Sequence, residues 1–351
     1  MEIRKHRIEA LDGLRFFAFI MVMFYHYLFI APLQGFIPRE YAIDAFSFGD
    51  FGVDLFFLIS GFVITLSSEN RTPKKFIIAR FNRIFPLFVI CALIIFFFSI
   101  SLPMVDPKER FISLVYSLSF YPGVFGKDYF SSVYWTIAVE VTFYIWVFIL
   151  MKLRLWNNFR NEICFAWLAL SLLNNFIIHN NLISTIFITH FAGHFVIGVV
   201  IFELRTSKIQ PKHSLLILIS SIFIYNNMIG HQKWIDSFGV SYDHASLLFM
   251  TFFIIALVWI TSHVESLGKY YNSIKMLGAM TYPLYLVHAD LGFWSHAIFE
   301  RKIWSIFPIT KQYVGYHLMV FIAIILSFLT SYLLVKYIDP PMQKLLKKWQ
   351  S

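Results

Sequence analysis

The sequence predicts an all-α protein, a polytopic integral membrane helical bundle of about ten transmembrane helices with both termini cytoplasmic. Three observations predict it. Of 351 residues, 58% are hydrophobic and 14% charged, where a soluble domain averages about 25% charge. Apolar windows of about 20 residues, the length that crosses a bilayer, recur along the whole chain. With the N-terminus placed inside, 20 basic residues fall in inner segments and 8 in outer ones, Arg15 completing the 29. That asymmetry is the positive-inside pattern of a membrane protein. It accounts for the net charge of +9 without a nucleic-acid partner.

The expected spans are 10–30, 47–67, 84–101, 131–151, 163–179, 183–203, 214–230, 244–262, 278–298 and 315–335. Basic residues on the inner side run from Arg4, Lys5 and Arg7 through Arg71–Arg83 to Lys336–Lys348. The first apolar stretch carries Asp12 and Arg15 and lacks a small-residue cleavage site, so it is expected to be retained as a helix. The stretch 111–122 is apolar but short and holds Pro122-Gly123, which fits an interfacial or re-entrant piece. The outer segment 102–130, with Pro103, Pro107, Pro122, Gly123 and Gly126, is expected to fold over the outer mouth. Met342–Ser351 reads as a basic amphipathic tail at the inner surface. A single membrane domain over 1–351 is expected, with no fused soluble domain. Cys91 and Cys164 fall in apolar segments and read as small core residues.

Polar residues inside the spans are the functional candidates, because ionisable groups are costly in hydrocarbon. Arg15 and His26 share the first span. Eleven residues at about 100° each bring their side chains within about 20° of one another, about 16 Å apart along the axis. Asp12 lies one turn from Arg15 and is either its partner or part of a topology anchor. The second span carries Asp54, which either lines the site or pairs within the bundle. The fourth holds Glu140 near mid-depth. His190 and His194 have the i, i+4 spacing of a metal pair, but no third ligand stands nearby, and no metal is expected. Arg80 and Arg83, one turn apart, open the third span on the inner side. They are either positive-inside anchors or a guanidinium fork for phosphates.

Several of these residues fall in ordered motifs: Leu11-Asp-Gly-Leu-Arg15 with His26; Gly52-Val-Asp-Leu-Phe-Phe-Leu-Ile-Ser-Gly61; Arg80-x-x-Arg83-Ile-x-Pro86; Trp135-Thr-Ile-Ala-Val-Glu140; and Thr281-Tyr-Pro-Leu-Tyr-Leu-Val-His288. Together they resemble the membrane acyltransferase family 3 over nearly the whole chain. Thr136 and Ile137 stand where the family more usually has Ser and Leu, and Pro283 introduces a kink below His288. The resemblance implies transfer of an acyl group, most often acetyl, from cytoplasmic acyl-CoA to a hydroxyl of a carbohydrate. The acceptor it implies is a bacterial surface polysaccharide or its lipid-linked precursor, met at the outer side of the inner membrane.

On that reading His26 and Glu140 are the catalytic pair. His26 acts as general base or transient acyl carrier, and Glu140 fixes its tautomer or takes up its proton. Arg15, Arg80 and Arg83 bind the CoA phosphates. Asp12, Asp54, Trp135, Tyr285 and His288 line the substrate pocket. Two other functions use the same residues: a transporter with buried His and Glu as a proton relay, and a non-catalytic glycan exporter or scaffold.

Overall fold

The computed structural model describes residues 8–69, 71–101, 105–205, 207–264 and 266–350. Arg4, Lys5, Arg7, Pro103 and Ser351 lie outside them, as does the side chain of Lys233. Among the described residues every regular element is a helix. The main ones are α1 (Glu9–Phe24), α2 (Phe51–Ser68), α3 (Pro73–Ile100), α4 (Pro107–Ser117), α5 (Trp135–Lys152), α6 (Arg160–Leu173), α7 (Asn181–Phe187), α8 (Ala192–Leu204), α9 (Pro211–Asp236), α10 (His244–Ser262), α11 (Tyr271–Ile298), α12 (Pro308–Leu333) and α13 (Asp339–Gln350).

Nine helical segments among the described residues are long and apolar enough to cross a membrane. They match the expected spans except 278–298. That stretch is helical throughout, inside the 28-residue α11, which at 1.5 Å per residue is about 42 Å long. It falls short in hydropathy because it carries His288, Asp290 and His296, all three buried. The third span begins earlier than expected. Pro73 starts α3, as proline favours the first turn of a helix. Arg80 and Arg83 therefore lie in its second and third turns rather than at its start. The short stretch 111–122 contributes to α4, whose 11 residues cover only about 16 Å. Asp106 caps α4 by accepting the Lys108 backbone N–H at 2.9 Å.

The chain forms two compact units. The first comprises the residues up to Ala18, Phe51–Ile78 and Val139–Gly278; the second comprises Phe19–Asp50, Ala79–Ala138 and Ala279–Ser351.

In the first unit α2 and α8 cross at backbone distance. A Cβ on Gly61 would stand 2.2 Å from the Phe195 carbonyl oxygen, and one on Gly198 2.1 Å from the Leu58 carbonyl oxygen. Small residues at such crossings let two membrane helices pack by van der Waals contact where no hydrophobic force separates helix from lipid. The expected span 183–203 is broken between α7 and α8, where Ile188 adopts a left-handed conformation with φ 52°. A break inside a membrane frees backbone carbonyls that water does not reach. Here side chains take them up: Trp146 Nε1 donates to the Ile186 carbonyl at 2.6 Å, Trp167 Nε1 to that of Phe187 at 2.5 Å, and Asn175 Nδ2 to that of Thr189 at 3.2 Å.

In the second unit α1 passes into a π-helical stretch, Tyr25–Ile30, a distortion that recurs at functional sites. The short 3-10 helix Asp44–Asp50 lies against the end of α1, where a Cβ on Gly49 would come within 2.2 Å of the Met21 carbonyl oxygen. Arg110 of α4 pairs with Asp290 of α11 at 3.0 Å and donates to the Phe130 carbonyl at 2.6 Å. Its guanidinium also stacks 3.7 Å from the Phe130 ring centroid. The tail forms α13, with Lys344, Lys347, Lys348 and Leu345 exposed. Gln343 holds it by donating to the Asn82 carbonyl at 3.0 Å.

Gly198→Val and Gly61→Val are expected to destabilise the fold by about 1–3 kcal/mol or more through overpacking. Gly123→Ala, where nothing lies within 4 Å of the added atom, leaves stability unchanged. Thermal unfolding of the purified variants in detergent, followed by loss of the monodisperse elution peak, checks both.

Candidate functional site

The sequence-predicted site residues divide between the two units. Asp12, Arg15, Asp54 and Glu140 belong to the first; His26, Arg80, Arg83, Trp135, Tyr285 and His288 belong to the second.

In the second unit the structure brings His26 and His288 together. His26 sits in the π-helical stretch that follows α1, half-buried, and His288 is fully buried in α11. His288 Nδ1 lies 2.8 Å from the Tyr285 carbonyl oxygen, and its Nε2 lies 3.2 Å from His26 Nδ1. His26 Nδ1 is also 2.9 Å from the Val22 carbonyl oxygen. A carbonyl only accepts, so His288 Nδ1 carries a hydrogen, and in the neutral ring Nε2 is then a lone pair. His26 Nδ1 thus faces two acceptors and must carry the hydrogen they share. In neutral His26 this leaves Nε2 as the basic atom.

Neighbours hold this pair in place. Tyr27 Oη donates to the His288 carbonyl oxygen at 2.7 Å and lies 3.1 Å from Ser327 Oγ. Its ring fits because residue 292, one turn beyond His288, is glycine: a Cβ there would stand 2.2 Å from the Tyr27 ring. The Phe19 ring meets that of His288 edge-on, with centroids 5.3 Å apart. Tyr285, one turn before His288, has its Oη 2.9 Å from Thr136 Oγ1, which is also 3.0 Å from the Val133 carbonyl oxygen. The threonine that departs from the family's usual serine keeps the hydroxyl this contact needs. Tyr27, Gly292 and Thr136 were not predicted as site residues. A glycine one turn after a buried histidine, among bulky residues, was the one signal the sequence carried.

Arg80 and Arg83 differ in exposure. Arg80 is 8% exposed, while Arg83 is exposed. Three residues rotate a helix by about 300°, so the two side chains stand about 60° apart, astride the edge between the packed and open sides of α3. Of the two guanidinium groups, one is therefore buried and one open. Trp135 is exposed at the start of α5.

In the first unit Asp12 and Arg15 are both buried. Asp12 packs where α1 meets α11: a Cβ on Gly278 would fall 2.5 Å from the Asp12 Cβ. Asp54 is paired with His194, whose Nε2 lies 2.6 Å from Asp54 Oδ1, and Asn227 Nδ2 approaches the same oxygen at 3.4 Å. His190 is exposed while His194 is buried. The i, i+4 arithmetic fails because the helix break lies at Ile188–Phe191. Among the described residues no group of three or more His, Cys, Asp or Glu is placed to hold a metal. Glu140 Oε1 accepts from Ser60 Oγ at 3.0 Å and from Tyr144 Oη. The position on His26 that a tautomer-fixing group would engage, Nδ1, is taken by Val22 and His288.

Comparisons with known proteins agree with the motifs. A family model described as an acyltransferase domain matches residues 8–336. The acyltransferase MdmB of Streptomyces mycarofaciens is 30% identical over 173 residues, 44% of each chain. The O-acetyltransferase OatA of Staphylococcus aureus is 31% identical over 156 residues, 39% of this chain and 24% of that one. Nodulation protein 10 of Rhizobium leguminosarum bv. viciae is 31% identical over 173 residues, 42% and 45% of the two chains. Each match thus spans less than half the length of the relative. No solved structure matches the chain. With its model matched across nearly the whole length, its motifs in order and its helices apolar enough to cross a membrane, the chain belongs to the membrane acyltransferase family 3.

Proposed function

We propose that the protein is an O-acyltransferase of a bacterial inner membrane. It moves an acyl group, acetyl by analogy with the O-acetyltransferase relative, from acyl-CoA on the cytoplasmic side to a carbohydrate hydroxyl on the outer side. The acceptor class is a surface polysaccharide or its lipid-linked precursor. The observation that carries this reading is the state of the His26 ring, with Nδ1 occupied and Nε2 left as the base. As general base, Nε2 takes the hydroxyl proton while the oxygen attacks the thioester carbonyl. The C–S bond breaks, and the CoA thiolate recovers the proton from the imidazolium. Base catalysis of this kind contributes about 10²–10⁴-fold.

The other residues take roles that suit their surroundings. Arg83, open on α3, meets the CoA phosphates first. Arg80, a buried cation on the same helix, supplies charge for phosphate drawn further in. Glu140, held by the hydroxyls of Ser60 and Tyr144, is a carboxylate kept in place within the first unit. Trp135, exposed, offers an aromatic face to a sugar ring. Tyr285, in contact with Thr136, frames the surroundings of the histidine pair.

Mass spectrometry of surface glycans from cells with and without the gene tests this directly. One added acyl group per modified sugar is expected, and identical glycans would contradict it. His26→Ala is expected to lower glycan acylation about 10²–10⁴-fold at unchanged protein level. Glu140→Gln keeps an acceptor for Ser60 and Tyr144 and is expected to melt like the wild type. Glu140→Leu strands both hydroxyls and is expected to cost about 1–3 kcal/mol, read as a lower unfolding midpoint in detergent.

A further inference from the structure

We propose that His288 is a positioning residue for the transfer, acting only through His26; this rests on the acyl-transfer reading above. A chain of hydrogen bonds runs from the Tyr285 carbonyl to His288 Nδ1–H, then from His288 Nε2 to His26 Nδ1–H. It begins at a backbone oxygen of α11, one turn before the ring it orients. His288 is fully buried. Its own carbonyl is held by Tyr27 Oη at 2.7 Å, and Gly292 leaves the space that Tyr27 needs. Nothing in this arrangement requires His288 to touch donor or acceptor.

The chain does two things for the reaction. Before transfer it keeps the hydrogen of His26 on Nδ1, so the lone pair is always on Nε2. During transfer Nε2 takes the hydroxyl proton and the ring becomes imidazolium. The Nδ1–H to His288 Nε2 bond is then charge-assisted, and such bonds are roughly twice as strong as neutral ones. The bond is stronger when the proton has moved than before, and only such differential interactions lower a barrier. Val22 supplies a second acceptor for the same hydrogen, but from the helix that carries His26. His288 is the acceptor contributed by a distant part of the chain, and it ties the ring to α11. No proton is lost or gained overall: the one taken at Nε2 leaves with the CoA thiol, and the one on Nδ1 stays.

Three substitutions separate this role from simple packing. His288→Gln can place an amide oxygen near the former Nε2. His288→Asn places its amide near the former Nδ1, out of reach of His26. His288→Leu removes the acceptor and keeps an apolar side chain. Each is expressed as the full chain in membrane vesicles of a strain lacking its own copy, with acetyl-CoA varied and released thiol measured. His288→Leu and His288→Asn are expected to lose about 10- to 100-fold in kcat, with the KM for acetyl-CoA within about twofold of wild type because donor binding is untouched. His288→Gln is expected to recover most of the lost kcat. Wild-type kcat in His288→Leu, or equal loss in the Gln and Asn variants, would overturn the proposal while leaving acyl transfer standing. Wild-type vesicles that release no more thiol than vesicles without the chain would overturn acyl transfer and this role together.

Discussion

The hydrogen on His26 Nδ1 is the element on which the rest of the site depends. Two acceptors converge on it, the Val22 carbonyl at 2.9 Å and His288 Nε2 at 3.2 Å. In an aqueous setting a neutral imidazole exchanges its hydrogen between the two nitrogens. Here the choice is made by groups that have no hydrogen of their own to give, one a carbonyl and the other a ring already donating to Tyr285. A base is useful only if its lone pair is on the atom that meets the substrate. The π-helical stretch matters for the same reason. It ends the regular α1 just before His26, so the ring's setting follows local backbone geometry and tertiary partners rather than helical phase alone.

A second constraint shapes the framework around that ring. Backbone polar groups inside a bilayer must find partners in the protein. The break between α7 and α8 is tolerated because Trp146, Trp167 and Asn175 donate to the freed carbonyls. Ionisable side chains obey the same rule. Asp54 meets His194, Arg110 meets Asp290, and Arg160 meets Glu69 at 2.6 Å. Where helices approach closest, at Gly61 and Gly198, the chain carries no side chain at all. Specific hydrogen bonds and close backbone contact thus do here what hydrophobic burial does in water, since lipid offers apolar surface on every side.

Much of this was legible in the sequence, and the remainder was hidden for definable reasons. Long apolar windows and the placement of lysine and arginine gave the helical membrane class, because both follow from composition along one chain direction. His26, Glu140 and Asp54 stood out because carboxylates and imidazoles are rare in hydrocarbon. The partner of each was not legible. His288 is 262 positions from His26, Ser60 is 80 from Glu140, and no periodicity connects such pairs. Helical arithmetic failed where the helix did: His190 lies inside the break and His194 beyond it. Which of Arg80 and Arg83 is buried follows from packing, which spacing does not show. Hydropathy understated α11 because His288, Asp290 and His296 are buried in protein, where an apolar count gives them no credit. Gly292 was a signal by its spacing from His288, but its pairing with Tyr27 was invisible.

The most direct measurement is the nitrogen-15 spectrum of ring-labelled histidine in the full-length protein held in lipid nanodiscs at neutral pH, with the His26 signals assigned by comparison with His26→Ala. Protonated and lone-pair ring nitrogens resonate in separate regions. The structure predicts a neutral His26 with the hydrogen on Nδ1 and the lone pair on Nε2. A His26 ring with the hydrogen on Nε2 would leave that atom unable to act as the base and contradict the proposed role of the histidine pair.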